Sequence, residues 1–323
     1  MERIKLKENR HYAPLPRRSH AEWLAARRDY LGASEMPIIM GATSEAWGSP
    51  FSLQAEKLGF AQEVERDPAV QEMMEWGNRM EPLALRALGD ELGARVRHCR
   101  TSVRSKRYPW LGCTPDGRVG QRRTGDPSAD RPAFVQAKNC AGFERWQVTA
   151  EGRLEPMRVW VQLQAELAVT GDRDTYVVAV VQGHALKWAR IDRDDDFIEE
   201  LMIPAGEEFM AALRSGEMLP SDYSAATSRA LLAMFPKADP DKTVTLPASF
   251  ADLDDRYREL RAERKRIDVE MSGISNEVKT LMGDAIRGNV SGSRGYWRWN
   301  DVKGGSYTRK PGRRLQRYGT DED

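Results

Sequence analysis

The most regular hydrophobic pattern lies toward the C-terminus. Phe250, Leu253, Tyr257, Leu260, Ile267, Met271, Ile274, Val278 and Leu281 fall on alternating three- and four-residue steps, and Arg264 alone breaks the register. The spacing predicts one helix from Ala248 to Met282, about 50 Å long at roughly 1.5 Å per residue, ended by Gly283. Its stripe suits either a helix of another chain or the body of this one. A second helical pattern, Pro68 to about Leu92, puts Met73, Trp76, Met80, Leu83, Leu88 and Leu92 on one apolar face. A third, Arg153–Thr170, puts Trp160, Leu163 and Leu167 on one side and Gln162 on another. Ser19-His20-Ala21-Glu22 reads as a capping box before Trp23 and Leu24, and Ser34 as a cap on a short helix from Glu35 to about Met40.

Extended segments fall between these helices. Val96–Val103, Tyr108–Thr114, Arg118-Val119 and the short apolar run Ala133–Ala137 read as strands. Asp174–Gln182 and Ala185–Ile191 read as a hairpin around Gly183, followed by an acidic helix start at Asp192–Glu200. The alternation predicts an α/β fold, a mixed sheet flanked by helices. The basic, proline-broken residues through Arg18 read as an arm, and Gly120–Pro132 as a polar loop. The Ser-, Ala- and Pro-rich stretch Pro220–Pro247 reads as a boundary. Tyr296-Trp297-Arg298-Trp299 with Ser306–Tyr318 reads as a small basic hairpin before the acidic tail Asp321-Glu322-Asp323.

Charged residues at 31% and apolar ones at 40% of 323 residues are ordinary for a soluble globular chain. A net charge of +1 argues neither for nor against nucleic acid, so local patches carry more weight. Arg95, Arg97, Arg100, Arg104, Lys106 and Arg107 form one acid-free run, and Arg309, Lys310, Arg313, Arg314 and Arg317 another. Each is a phosphate footprint or a solvated strand face. Cys99, Cys113 and Cys140 lack metal-ligand spacing, and with no signal peptide or long apolar run they predict packed, reduced thiols in a cytosolic protein.

Candidate chemistry centres on Thr114-Pro115-Asp116-Gly117, a tight turn, and on Gln136-Ala137-Lys138 at the end of the Ala133–Ala137 run. Side chains alternate on a strand, so Gln136 and Lys138 share one face and Ala137 takes the other. Two strands meeting at that turn bring an acid, an amide and an amine to one sheet edge.

These residues resemble the PD-(D/E)XK nucleases and, among them, the YqaJ-type phage recombination exonucleases, the family of phage lambda exonuclease. Its pattern is P-D-G, a gap, then Glu-x-Lys; Pro115-Asp116-Gly117 and Lys138 fit, whereas Gln136 stands where the family has glutamate. Arg28-Asp29-Tyr30-Leu31-Gly32-Ala33-Ser34-Glu35 is similar to the family's R-x-x-x-G-A-S-E segment. Gly77-Asn78-Arg79-Met80-Glu81 is similar to its G-x-x-x-E helix, and Gln162-Leu163-Gln164 with Val169-Thr170-Gly171 to its Q-x-Q-x-x-x-x-V-T-G segment.

The resemblance implies a restriction-endonuclease-like fold, with a nuclease domain at 1–220, a linker at 221–247, and a long helix plus basic hairpin at 248–323. It implies Mg²⁺, with Mn²⁺ as a substitute, held by Asp116, Glu81, the Gln136 amide oxygen and the Ala137 carbonyl. Lys138 would orient the attacking water, Gln162 would support the site by hydrogen bonding, and Arg28 and Ser34 would hold a DNA 5′ phosphate. The activity implied is 5′→3′ digestion of linear double-stranded DNA, leaving a 3′ single strand for an annealing protein. The setting is a bacterial host cytoplasm, encoded by a phage or prophage, with a homo-oligomer, a trimer by resemblance, and no membrane. An endonuclease of the same fold and a nuclease-dead DNA-binding protein are the alternatives. Gln136 is a natural variant, an engineered substitution or the mark of a disabled site.

Overall fold

The computed structural model describes residues 3–16, 19, 22, 26–43, 48–60, 68–120, 131–140, 146–292 and 295–300. They divide into two compact units, residues 1–236 and 237–323.

The first unit is built on a six-stranded sheet in the order β1 (Arg3–Ile4), β4 (Val96–Cys99), β7 (Gly117–Val119), β8 (Ala133–Cys140), β11 (Asp174–Val181) and β12 (Ala185–Asp192). The β1–β4 and β8–β11 pairs are parallel and the others antiparallel. A four-stranded sheet runs β2 (Tyr12–Pro14), β5 (Val103–Ser105), β6 (Leu111–Cys113), β3 (Leu31–Gly32), and β9 (Gln147–Val148) pairs with β10 (Leu154–Glu155). Its helices are α1 (Pro50–Lys57), α2 (Pro68–Leu92), α3 (Met157–Thr170), α4 (Ile203–Ser215) and α5 (Ala225–Met234). The expected α/β class, a mixed sheet flanked by helices, is what the chain forms.

Strand alternation decides which helix covers which face. Ala133 and Val135 of β8, with Tyr176 and Val178 of β11, pack under Ala84, Leu85 and Leu88 of α2. The intervening Phe134 and Val177 join Trp160 and Leu163 of α3 on the other face. Helix α3 touches both sheets and is buried on nearly every side, which explains its apolar composition all round.

Several expectations change. The N-terminal residues are not an arm, since β1 and β2 give one strand to each sheet and bury Leu6 and Tyr12. Val96–Val103 is divided, β4 staying in the large sheet and β5 turning into the small one. The stripe read along α2 holds only toward its end, where Leu88 is buried and Leu92 packs on the same cluster; Met73, Trp76 and Leu83 are 47, 49 and 52% exposed, and Ala84 and Leu85 complete the buried face. Among the described residues, it is the second half of α2 that packs on the sheet. The third helix begins at Met157, because Leu154-Glu155 is taken by β10. Residues 221–247, expected as a linker, include α5, whose Ala230 packs on Phe51 and Ala55 of α1. Cys99, Cys113 and Cys140 are buried and form no disulfide, as packing residues should.

The second unit contains the single long helix the heptad spacing predicts. A 3₁₀ turn, Ala248–Phe250, leads into α6 (Ala251–Met282), which ends where Gly283, at φ 56°, donates its N–H to the Lys279 carbonyl. The strand Tyr296–Arg298 (β14) does pair in a hairpin, but with Arg287–Asn289 (β13); Ser306–Tyr318 and the basic run Arg309–Arg317 lie outside the described residues. Arg287 stacks on the Tyr296 ring at 4.0 Å. Among the described residues, no helix is long and apolar enough to cross a membrane.

The buried face of α2 has a direct test. Leu85→Ala should cost about 2–5 kcal/mol of unfolding free energy by urea denaturation, whereas Leu83→Gln should stay within about 0.5 kcal/mol.

Candidate active site

The site is built where two paired strands differ in length. Strand β7 ends its register at Gly117 opposite Val135, while β8 continues to Cys140. Gly117 starts β7 hard against α2, where an added Cβ would lie 2.8 Å from Leu85 Cδ2. Asp116, one residue earlier, is fixed from three directions. Its N–H donates to the Val135 carbonyl at 3.2 Å, and its carbonyl accepts from Cys99 N–H at 2.8 Å. Its carboxylate accepts the Ala137 N–H at 2.8 Å. A strand residue points its N–H and C=O to the same edge, so the Ala137 carbonyl also faces the side that Asp116 occupies.

Gln136 and Lys138 project from the opposite face of β8 to Ala137. Gln136 is buried, and its Oε1 has no hydrogen-bond partner. Lys138 Nζ donates to Gln162 Oε1 at 2.8 Å, and Gln162 Nε2 donates to Glu166 Oε1 at 2.8 Å. Glu166 is buried on α3, one turn beyond Gln162. Sequence reasoning missed it, although a lone acid at i+4 from Gln162 inside Ala165-Glu166-Leu167-Ala168-Val169 was a usable signal.

Glu81 reaches the same region from α2. Its carboxylate is held by His98 Nε2 through one oxygen and by Arg100 Nη2 at 3.3 Å through the other. His98, on β4 opposite Gly117, was also missed. Arg100 thus spends its charge within the fold, as do Lys106 on Glu8 and Arg107 on Glu199. Arg104 lies 4.6 Å over the Tyr30 ring.

Arg28 and Ser34 have exposed side chains on two other turns, Arg27–Asp29 before β3 and Ala33–Glu35 after it. Ser34 lies inside the 3₁₀ turn Ala33–Glu35 and does not cap it; Gly32 holds the cap position and donates its N–H to Glu35 Oε2 at 2.8 Å. Buried Glu35 also pairs with Arg27 and, at 2.9 Å, with Lys57, whose Nζ donates to the Arg27 and Tyr30 carbonyls. Strands β3 and β6 are parallel, with Gly32 beside Gly112, so the Ala33–Glu35 and Thr114–Asp116 turns leave the small sheet from the same end.

Burial sets the electrostatics. It pushes the Asp116 carboxyl up to about 7, with the Glu81 charge adding and Lys138, the Ala137 N–H and Arg100 opposing. It pushes Glu166 up to about 8, against the Gln162 bond and Lys138, with Asp116 adding. Burial lowers Lys138, and Asp116 and Glu166 partly restore it.

A divalent cation fits this edge through oxygen. The unpartnered Gln136 Oε1, the Asp116 carboxylate and the Ala137 carbonyl are hard donors of the kind Mg²⁺ takes. Among the described residues, no group of three or more His, Cys, Asp or Glu side chains is arranged to hold an ion, so the fit rests on the amide and carbonyl oxygens beside Asp116.

The folded protein holds the Asp116 and Glu166 protons more tightly than an unfolded chain with ordinary values of 3.8 and 4.5. Stability of the metal-free protein should therefore fall as pH rises from about 4 toward 8, and Asp116→Asn should flatten that fall in thermal melts.

Residues 22–173 match the model of the YqaJ-like viral recombinase domain. A curated relative, the uncharacterized protein YqaJ of Bacillus subtilis (strain 168), is 23% identical over 285 residues, 87% of this chain and 83% of that protein. Among solved structures, the alkaline exonuclease LHK-Exo of Laribacter hongkongensis is 22% identical with a TM-score of 0.43, covering 61% of this chain and 93% of that one. A phage related exonuclease from Haemophilus somnus 129PT is 11% identical with a TM-score of 0.38, covering 58% and 96%. The Asp116 turn, the β8 edge, Glu81 and Gln162 all fall inside the segment that matches the YqaJ-like viral recombinase domain.

Proposed function

We propose that the chain is a metal-dependent deoxyribonuclease that digests linear double-stranded DNA from 5′ ends, in phage-type recombination by single-strand annealing. The observation that carries this reading is the edge of β8, where the Asp116 carboxylate is bonded to the Ala137 N–H, between the unpartnered Gln136 oxygen and Lys138 on the same three-residue stretch. Mg²⁺, or Mn²⁺ in its place, would be held by Asp116, Gln136 and the Ala137 carbonyl, with the Glu81 charge behind Asp116. The ion supplies Lewis acidity toward a phosphodiester and its attacking water.

The chain's own groups do the rest. Lys138 presents ammonium hydrogens to the attacking water and favours its deprotonated form, and Gln162 keeps the amine pointed there. Lys138 also offsets the negative charge that grows on the phosphate oxygens as the bond to water forms. Asp116, ionised above its raised value of about 7, is the cation's principal anionic partner. Gln136 keeps an oxygen donor but no charge, as in a natural variant that works with fewer strand carboxylates. Arg28, exposed on the 3₁₀ turn Arg27–Asp29, and Ser34, exposed on the turn Ala33–Glu35, hold the 5′ phosphate of the DNA end. The working form is a homo-oligomer, a trimer by family resemblance, that hands its 3′ single strand to an annealing protein.

With Mg²⁺ or Mn²⁺ the protein should degrade 5′-phosphorylated linear duplex, act poorly on 5′-hydroxyl ends and spare closed circular DNA. Cutting of the circle would make it an endonuclease, and binding without cutting under either metal a DNA-binding protein. Lys138→Ala should lower the cleavage rate by about 10²–10³-fold while DNA binding by gel shift is kept. Arg28→Ala should narrow the difference between phosphorylated and hydroxyl ends, read as a ratio of initial rates.

A further inference from the structure

Gln162 lies between partners of opposite kind. Lys138 only donates hydrogen bonds, so the Gln162 amide must turn its oxygen to it, which leaves the amide hydrogens for an acceptor. Glu166 Oε1 is that acceptor at 2.8 Å. Its other oxygen, Oε2, is buried with no partner, and the residue is 2% exposed on a helix otherwise packed with Val161, Leu163, Ala165, Leu167 and Val169. A buried carboxylate with one oxygen unsatisfied is a standing burden on folding that an apolar side chain would remove. It is also felt by both Lys138 and Asp116.

We propose that Glu166 is a positioning residue for the reaction, supplying from α3 the negative charge that Gln136 withholds from β8 and fixing Lys138 through the Gln162 amide. This rests on the reading of the β8 edge as a nuclease site. The two departures from an ordinary site explain one another. Position 136 carries an amide where a strand carboxylate would crowd Asp116 and Glu166 around one lysine, and position 166 carries a carboxylate where the helix interior asks for none. Once pH exceeds the raised value of about 8 and Glu166 is ionised, the Gln162 amide has one orientation, Lys138 has one direction, and the edge keeps the anionic character that attracts a divalent ion.

The full chain is assayed at about pH 9, where Glu166 is ionised, on 5′-phosphorylated linear duplex with Mg²⁺, with Mn²⁺ binding followed by calorimetry and folding by thermal melts. Glu166→Gln keeps an acceptor for Gln162 and removes only the charge. It should lower kcat by about 10–100-fold, leave KM for DNA ends unchanged, weaken Mn²⁺ binding, and leave the melting temperature undiminished. The double variant Gln136→Glu/Glu166→Gln, which returns the charge to the strand, should regain most of the lost rate. Wild-type kcat in Glu166→Gln, a double variant no faster than Glu166→Gln, or Mn²⁺ binding unchanged by Glu166→Gln overturns the proposal. Lys138→Ala run alongside separates the two levels: its cleaving at the wild-type rate would sink the site reading and Glu166 with it. Loss of cleavage there beside an unaffected Glu166→Gln would sink Glu166 alone.

Discussion

The first unit turns on a strand-length mismatch. Because β8 outruns β7, the Ala137 N–H faces an edge with no neighbouring strand among the described residues, and an unpaired backbone donor there would be costly. Asp116 satisfies it with a carboxylate oxygen. One bond therefore closes the ladder and pins an acid beside Gln136 and Lys138. Gly117 makes this possible, since a side chain there would run into Leu85 and push β7 away from α2. Packing and chemistry share the same few atoms, which is why the acid is both well fixed and strongly shifted in pKa.

Helix α3 carries the second half of the design. Buried on nearly all sides, it still bears Gln162, Gln164 and Glu166, and their partners divide them by role. Gln164 bonds the Asp192 carbonyl and the Asp194 N–H, fastening α3 to the end of β12. Gln162 and Glu166 instead bond toward Lys138, the amine at the edge of β8. A polar pair in an apolar helix that serves no ladder, cap or turn is best understood by the group it orients.

Much of this was legible in the chain. The bounds of α2 and α6, the hairpin of β11 and β12, the Asp116 turn and the shared face of Gln136 and Lys138 follow from period and turn chemistry, which are local. What was not legible depended on distant partners. Strands β1 and β2 are too short to show a period, and they exist only because β4 and β5 offer edges to them. The apolar face of α2 was only partly legible because periodicity gives a face but not where the sheet beneath it stops. His98 and Glu166 gain their meaning from Glu81 and Gln162, which lie elsewhere in the sequence. The short helix expected from Glu35 does form, at Met36–Ile39, but Ser34 does not cap it: Glu35 takes the cap position and, tied to Arg27 and Lys57, draws the Gly32 N–H to itself.

The most direct measurement is a crystal soaked in Mn²⁺, with the ion located by its anomalous scattering. Binding at the open edge of β8 predicts a single peak within coordination distance of the Asp116 carboxylate and Gln136 Oε1. A saturated crystal in which Gln136 Oε1 is bonded to a protein donor, with manganese elsewhere or absent, would contradict the assignment of this edge as the cation site.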